Sequence, residues 1–286
     1  MKKVIILGLL IVQFTLFGQV ENYLGQLSEK DVDAYAKPLV TTIGIAMNTG
    51  LYRTAKIEKS FGFSVAINTV YLIIPEDQRS FLPSSLDPAK GYDNTQKVST
   101  IFGSTKSTVF TGDDGFKGFP GGFDLTHATF ILPQIEASYY HTKLMLRFVP
   151  SITIVDEKFS LLSIGIKHSL GQYFDIPVDG AVHVIYNSFS VSDMISSSNM
   201  AFGISASKTF GLITPYAGLQ IETSTTNFEY KKTVADQQVA VKTEVTGDNA
   251  VKFTLGAELR YGILGFNVDF NLSSQNNAAA GLSFNF

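Results

Sequence analysis

The chain has no cysteine, which excludes disulfides, thiolate metal sites, cysteine nucleophiles and a lipid anchor on an N-terminal cysteine. It has no tryptophan, so any aromatic girdle at a membrane surface must be built from its 12 Tyr and 23 Phe. Charge is scarce: 16% of residues are charged, against roughly 25% in soluble domains. With 22 Lys+Arg against 25 Asp+Glu there is no basic field, and nucleic acid is not an expected partner. Past residue 19 no apolar run is long enough for a spanning helix. A mature chain that sits in a membrane must then satisfy its backbone there as a closed barrel.

The first residues read as an export signal. Met1-Lys2-Lys3 is a basic start, residues 4–17 are apolar apart from Gln13 and Thr15, and Gly18-Gln19 offers a small-residue exit. The apolar run is shorter than the about 18 residues a spanning helix wants. Residues 1–19 are therefore expected to be removed, 20–38 to form an N-terminal helical segment and candidate plug, and 39–286 to form the barrel. Ser28-Glu29-Lys30-Asp31 reads as a helix-start signal, and Pro38 predicts the end of the helix that begins near Val20.

Beyond Pro38 the apolar period is two. Phe253, Leu255, Ala257, Leu259 and Tyr261 alternate with Thr254, Gly256, Glu258 and Arg260. Leu264, Phe266, Val268, Phe270 and Leu272 alternate with Gly265, Asn267, Asp269 and Asn271. Strand side chains point alternately to opposite faces, and in a membrane barrel the apolar set meets lipid while small and polar residues face the lumen. Strands are expected at 41–54, 61–74, 98–111, 131–140, 143–154, 159–168, 177–188, 199–210, 212–230, 251–261, 264–272 and the last residues to 286. The fold class is thus all-β: a closed, antiparallel, up-and-down transmembrane β-barrel of about twelve strands with a short N-terminal helix. Its main structural alternative is a soluble, secreted β-sandwich.

Connections support an end-to-end asymmetry. Tight turns are expected near His141-Thr142, Gly211 and Gly262, and longer polar loops at 112–126, 191–198 and 233–248. Short inner turns and long outer loops suit an outer-membrane barrel. The stretch 75–97 breaks the scheme, because it is long at the predicted inner end. The last strand carries Phe284 and Phe286, resembling the C-terminal signal that the barrel-assembly machinery reads, and closing it on the first strand removes both exposed edges.

Several segments carry a resemblance in order along the chain: Ala36-Lys37-Pro38-Leu39, Gly50-Leu51-Tyr52-Arg53-Thr54-Ala55-Lys56, Leu146-Arg147-Phe148-Val149-Pro150, Ile164-Gly165-Ile166-Lys167-His168, Thr223-Ser224-Thr225-Thr226-Asn227 and Ala280-Gly281-Leu282-Ser283-Phe284. They resemble an uncharacterised outer-membrane barrel family of diderm bacteria. The resemblance implies a barrel and an envelope location, with outer-membrane lipid as its surroundings, and it brings no catalytic residue. A more distant similarity is to barrels that transport long-chain fatty acids, which implies a small hydrophobic solute; their Asn-Pro-Ala-type motif is absent.

Candidate chemistry is thin. His127, His141, His168 and His183 show no metal spacing, so neither metal nor cofactor is expected. Asp113-Asp114-Gly115 brings too few oxygen ligands for Ca²⁺. His168-Ser169 would be the pair of a membrane-embedded lipid hydrolase, yet neighbours on a strand point to opposite faces. By parity Glu136, Arg147, Lys167, Glu258, Arg260 and Asp269 line the lumen, where they should pair into an ionic network or a selective lining. Phe116 and Phe119 sit in a glycine-rich segment and are candidate mouth contacts for a ligand. Twelve strands fall between a barrel filled by side chains and one holding an aqueous channel. A passive channel or transporter, not an enzyme, is the first expectation; a non-transporting envelope barrel that binds partners is the second.

Overall fold

The computed structural model describes residues 17–154, 157–174, 177–234 and 237–286. Most of the expected export signal, residues 1–16, lies outside the described residues. Two helices come first, α1 (Phe17–Gln26) and α2 (Glu29–Met47). Then follow β1 (Gly62–Ile73) and an insertion, 74–126, with the short pairs β2 (Ser80–Phe81) with β3 (Val98–Ser99) and β4 (Thr108–Gly112) with β5 (Gly115–Phe119). The remaining strands are β6 (His127–Tyr139), β7 (Thr142–Ile154), β8 (Glu157–Ser169), β9 (Asp179–Val191), β10 (Ile195–Ser207), β11 (Ile213–Val234), β12 (Gln237–Thr246), β13 (Val251–Tyr261), β14 (Leu264–Leu272) and β15 (Asn277–Asn285).

Ten strands close into one antiparallel ring. Each barrel strand pairs with its neighbours along the chain, β10 pairs with β11, and β1 pairs with β15. Backbone bonds run both ways between Phe63 and Phe286, so the terminal residue extends the closing seam. Among the described residues β12 stands outside the ring and pairs only with the far half of β11, from Thr225 to Val234.

Sequence alternation sets the two faces. On β14, Phe270 is 67% exposed and Asp269 is 2% exposed. Phe253, Leu255, Met200, Phe202, Ile204, Ile164 and Ile166 lie on the outer face, while Asn, Ser, Thr and charged residues lie on the inner one. A sandwich would bury these apolar alternates between two sheets; the ring turns them outward, so the soluble-sandwich alternative does not describe this fold.

Twelve strands become ten for two reasons. Residues 41–54 are not a strand: α2 runs through Pro38 to Met47, and an irregular segment continues down the lumen. Inside a barrel a helix is buried on every side, so its apolar residues lose the 3.6 period that would reveal it. Proline in a helix interior normally costs roughly 3 kcal/mol. Past the proline the helix is tied to the wall, because the Pro38 carbonyl accepts from Thr42 Oγ1 (2.8 Å) and Gln275 Nε2 (3.2 Å). Residues 98–111 likewise stay out of the ring, as parts of the insertion. With that strand removed, 74–126 becomes one excursion at a single end, and 75–97 no longer interrupts the alternation of short turns and long loops.

Two loops also differ from expectation. Residues 233–248 contain β12, and the 191–198 loop shrinks to a turn at 192–194 with Ser192 at positive φ. The turns at Tyr140-His141, Gly211 and Gly262 are tight and lie at the end where β1 starts and β15 finishes. This is the turn end. The insertion and the β11–β12 hairpin project from the other, loop end.

Candidate functional site: a pinned helix and an apolar cavity

The chain threads its own barrel. Asp31 and Tyr35 contact the insertion, through Ser84 N–H (2.7 Å) and the Gly121 carbonyl (2.8 Å) respectively. Thr42 reaches Gln275 beside the β14–β15 turn, also at the loop end. Lower down, Asn48 meets Asn187 and Gln220, Ala55 meets Ser207, and Ile57 meets His141 at the turn end. Gly44 allows the closest approach: a Cβ there would meet Ser224 Oγ at 1.7 Å.

Wall cations hold the lower half of this segment. Arg147 Nη1 and Nη2 donate to the carbonyls of Met47 and Thr49, both at 2.7 Å, while its Nε donates to Gln134 Oε1 (2.8 Å). Lys252 Nζ donates to the Asn48 carbonyl (2.8 Å) and pairs with Glu222 (2.7 Å). Lys167 Nζ donates to the Tyr52 carbonyl (3.0 Å). A helix C-terminus leaves carbonyls unsatisfied and carries a partial negative charge, so cations are the matching partners. Burying such charges is expensive unless every donor finds an acceptor. In return, Arg53 from the threaded segment pairs with Glu136 of the wall, which also binds Lys143 (2.8 Å) and Ser64 Oγ (3.0 Å).

The residues expected in the lumen divide. Glu136, Arg147, Lys167, Glu258 and Asp269 are buried on the inner face. Arg260 is half-exposed in a polar vestibule of about 540 Å³ at the turn end, bonded to Glu258 (3.0 Å). Tyr216 OH donates to Asp269 (3.1 Å). Lys252, Glu222 and Gln220 also belong to the lumen and were not among the expected residues; strand parity points to them, since they share the inner face with Thr254 and Ser224. Asn48 and Arg53 leave no such signal, since they sit on no strand.

Phe116 and Phe119 separate. Phe116 is exposed on the β4–β5 hairpin, and Phe119 is buried edge-on against Phe110. Neither lines the cavity described below. Outside the ring, Phe284 and Phe286 point outward. His168 binds Thr142 Oγ1 (2.9 Å) and Gln172 (2.8 Å), while Ser169 Oγ turns to the Gly180 carbonyl, so the two do not form a nucleophile and base. Among the described residues no cluster of His, Asp and Glu could hold a metal.

Above the gripped half lies a cavity of about 360 Å³. Leu39, Thr42 and Met47 of α2 line it on one side, Phe102, Phe123 and Leu125 of the insertion roof it, and Leu132, Phe159, Leu161 and Phe189 form the wall. No ionisable side chain lines it. Thr42 is already bonded to Pro38 and Gln275. Such a space sits within the size range of small-molecule sites and would select for apolar shape.

In sequence, no curated protein matches the chain. Solved structures similar to it include Ail, the attachment invasion locus protein of Yersinia pestis (8% identity, 79% of this chain and 99% of that one, TM-score 0.26). Another is a loop-deletion mutant of OmpT, an outer membrane protein of Vibrio cholerae (10% identity, 79% and 98%, TM-score 0.29). A third is a mutant Rh. blastica porin (10% identity, 79% and 99%, TM-score 0.18). Over residues 1–286 the chain matches, and belongs to, a family of unknown function, DUF6588.

Proposed function

We propose that this protein is an outer-membrane barrel that takes up an uncharged, apolar small molecule, and that it does not work as an open aqueous pore. The outward apolar belt supports the membrane placement, since large side chains such as Phe202, Leu255 and Phe266 would otherwise face water all round a closed ring. The observation that carries the reading is the contrast inside. The end of α2 and the segment after it, pinned by Arg147, Lys167 and Lys252, fill the middle of the lumen, and a cavity without charge lies beside α2 above the pinned part. Export and reading of Phe286 by the assembly machinery belong to the same proposal.

The test uses purified full-length protein in detergent with the fluorescent lipophile N-phenyl-1-naphthylamine. Saturable fluorescence enhancement is expected. Ala128→Phe, which places a ring in the cavity, should weaken binding roughly tenfold, about 1.4 kcal/mol. Absence of saturable binding, together with steady conductance in a planar bilayer, would replace this reading with an aqueous channel.

A further inference from the structure

Each strand of the ring has a paired neighbour on both sides, but β12 has one on one side only. Among the described residues it pairs with β11 and with no other strand, which leaves a row of backbone N–H and C=O groups along its second edge. β13 continues along the same side of β11, starting with Val251 opposite Ile221, and its neighbour β14 ends at Leu272 opposite Phe253. The chain then turns at 273–276 into β15, so β14 does not extend beside β12.

The edge is held in shape from within. Val245 is buried and Val241 half-buried against the cluster that includes Val40 and Ile43 of α2. Thr243 Oγ1 lies 3.4 Å from Tyr230 OH on the same inner side. Lys242 and Glu244 are exposed on the opposite face. Lys242 pairs with Glu229 of β11 (2.8 Å), and Glu244 has no ion partner among the described residues. Proteins commonly blunt an exposed edge with proline, a bulge or repeated charge of one sign. β12 has no proline, its register with β11 is unbroken, and it carries one Lys and one Glu.

The sequence of this edge is complementary to itself. When two copies pair antiparallel, each side chain must lie opposite one on the same face, which permits only alternate registers. With Thr243 at the centre, Lys242 meets the partner's Glu244 and Glu244 meets the partner's Lys242. Val241 then meets the partner's Val245, and Thr243 meets the partner's Thr243. Opposite charges, β-branched pairs and Thr–Thr pairs are all favourable across strands. The next permitted registers on either side oppose Lys242 to the partner's Lys242, or Glu244 to the partner's Glu244.

Direction follows from the same geometry. β12 projects from the loop end, so two β12 strands that run antiparallel belong to barrels pointing in opposite directions. Barrels inserted alike in one membrane share a direction and do not meet this way. Barrels in two facing membranes do.

We infer that the free edge of β12 is a docking site for a second copy of this chain, through which copies in facing membranes join, loop end to loop end, into one antiparallel sheet. The inference is independent of the cavity.

The test uses full-length protein in two sets of phosphatidylcholine liposomes, one with a donor dye and one with an acceptor, and reads clustering as energy transfer between sets. The ring does not include β12, so variants on this strand leave the barrel wall intact. Wild-type sets should cluster. Lys242→Glu in both sets, or Glu244→Lys in both, should abolish clustering, since like charges then meet across the seam. One set with Lys242→Glu and the other with Glu244→Lys should cluster again, because an acidic edge meets a basic one. Thr243→Cys supplies the only cysteine in the chain, and on oxidation clustered liposomes should yield a covalent dimer that Gln237→Cys does not. Wild-type sets that stay apart, clustering that survives either charge reversal, or a mixture of the two variants that stays dispersed would each overturn the inference.

Discussion

In the loop-end half of the lumen, the helix meets its wall through Leu39, Val40 and Ile43, packed in one cluster with Leu72, Phe228 and Val245. In the turn-end half, the following segment presents backbone carbonyls to Arg147, Lys167 and Lys252. The first kind of contact is non-directional and scales with area. The second is directional, and each bond fixes a position along the axis. A wall that grips mainly by apolar contact can admit a guest while stranding few polar groups, such as Thr42 and Gln275. A wall that grips by charge cannot. The cavity lies in the first half, and the pinned chain lies in the second.

The largest test of this contrast is Arg147→Met. It strands the Met47 and Thr49 carbonyls and Gln134 in a buried setting, at roughly 1–3 kcal/mol for each group left unpaired. The temperature at which the folded barrel loses its fast gel migration should fall by many degrees, and bilayer recordings should show openings absent from the wild type. If neither changes, the turn-end half is held by packing and the contrast fails. A smaller effect is expected at Lys252, whose Glu222 partner also accepts from Gln220 (2.7 Å) and Asn249 (3.0 Å). Lys252→Met should destabilise, and adding Glu222→Gln should recover part of the loss, since it removes the charge left alone. A coupling within about 0.5 kcal/mol of zero in the four-variant cycle would show the pair to be independent.

The same division governs what is legible in the sequence. The outer wall is legible because an apolar outer face and a polar inner face enforce a strict period of two, as in Leu264 to Leu272. Buried charges such as Glu136 and Arg147 follow from the same parity. The threaded segment is not legible. Its residues Leu39 to Met47 are enclosed by the barrel all round, and β-branched Val40, Thr41, Thr42, Ile43 and Ile45 imitate a strand. The shortness of the β6–β7 ladder is hidden for another reason: Pro133 and Pro150 are in plain view, but whether a proline interrupts a ladder depends on which neighbour its strand meets, and a single strand does not encode that. The extent of the insertion is masked in a similar way, because the alternation within 98–111 reads as a wall strand while its partners lie within 74–126.

The mildest effect is expected where the helix begins, above the barrel. The Asp31 carboxylate accepts from the backbone N–H of Ser84 (2.7 Å) and Ser85 (3.2 Å) and from the hydroxyl of Ser28 (2.6 Å). Burial favours its neutral form, but these hydrogen bonds outweigh burial and hold its pKa below the ordinary value of 3.8. A carboxyl with a depressed folded-state pKa contributes stability above its ordinary value and loses it as pH falls through the folded one. The tie between α2 and the insertion should therefore be constant near neutrality and weaken only in acid, below 3.8. Hydrogen exchange at the Ser84 and Ser85 amides, corrected for intrinsic rates, reads this directly. Asp31→Asn should exchange faster than wild type at neutral pH and lose the acid step, while the β13–β14 amides stay protected in both. An acid step that persists in Asp31→Asn would move the titrating group elsewhere. The roof of the cavity would then be fastened by the bond from Tyr35 to the Gly121 carbonyl and by apolar contact, and the loop-end half would be softer than Asp31 makes it.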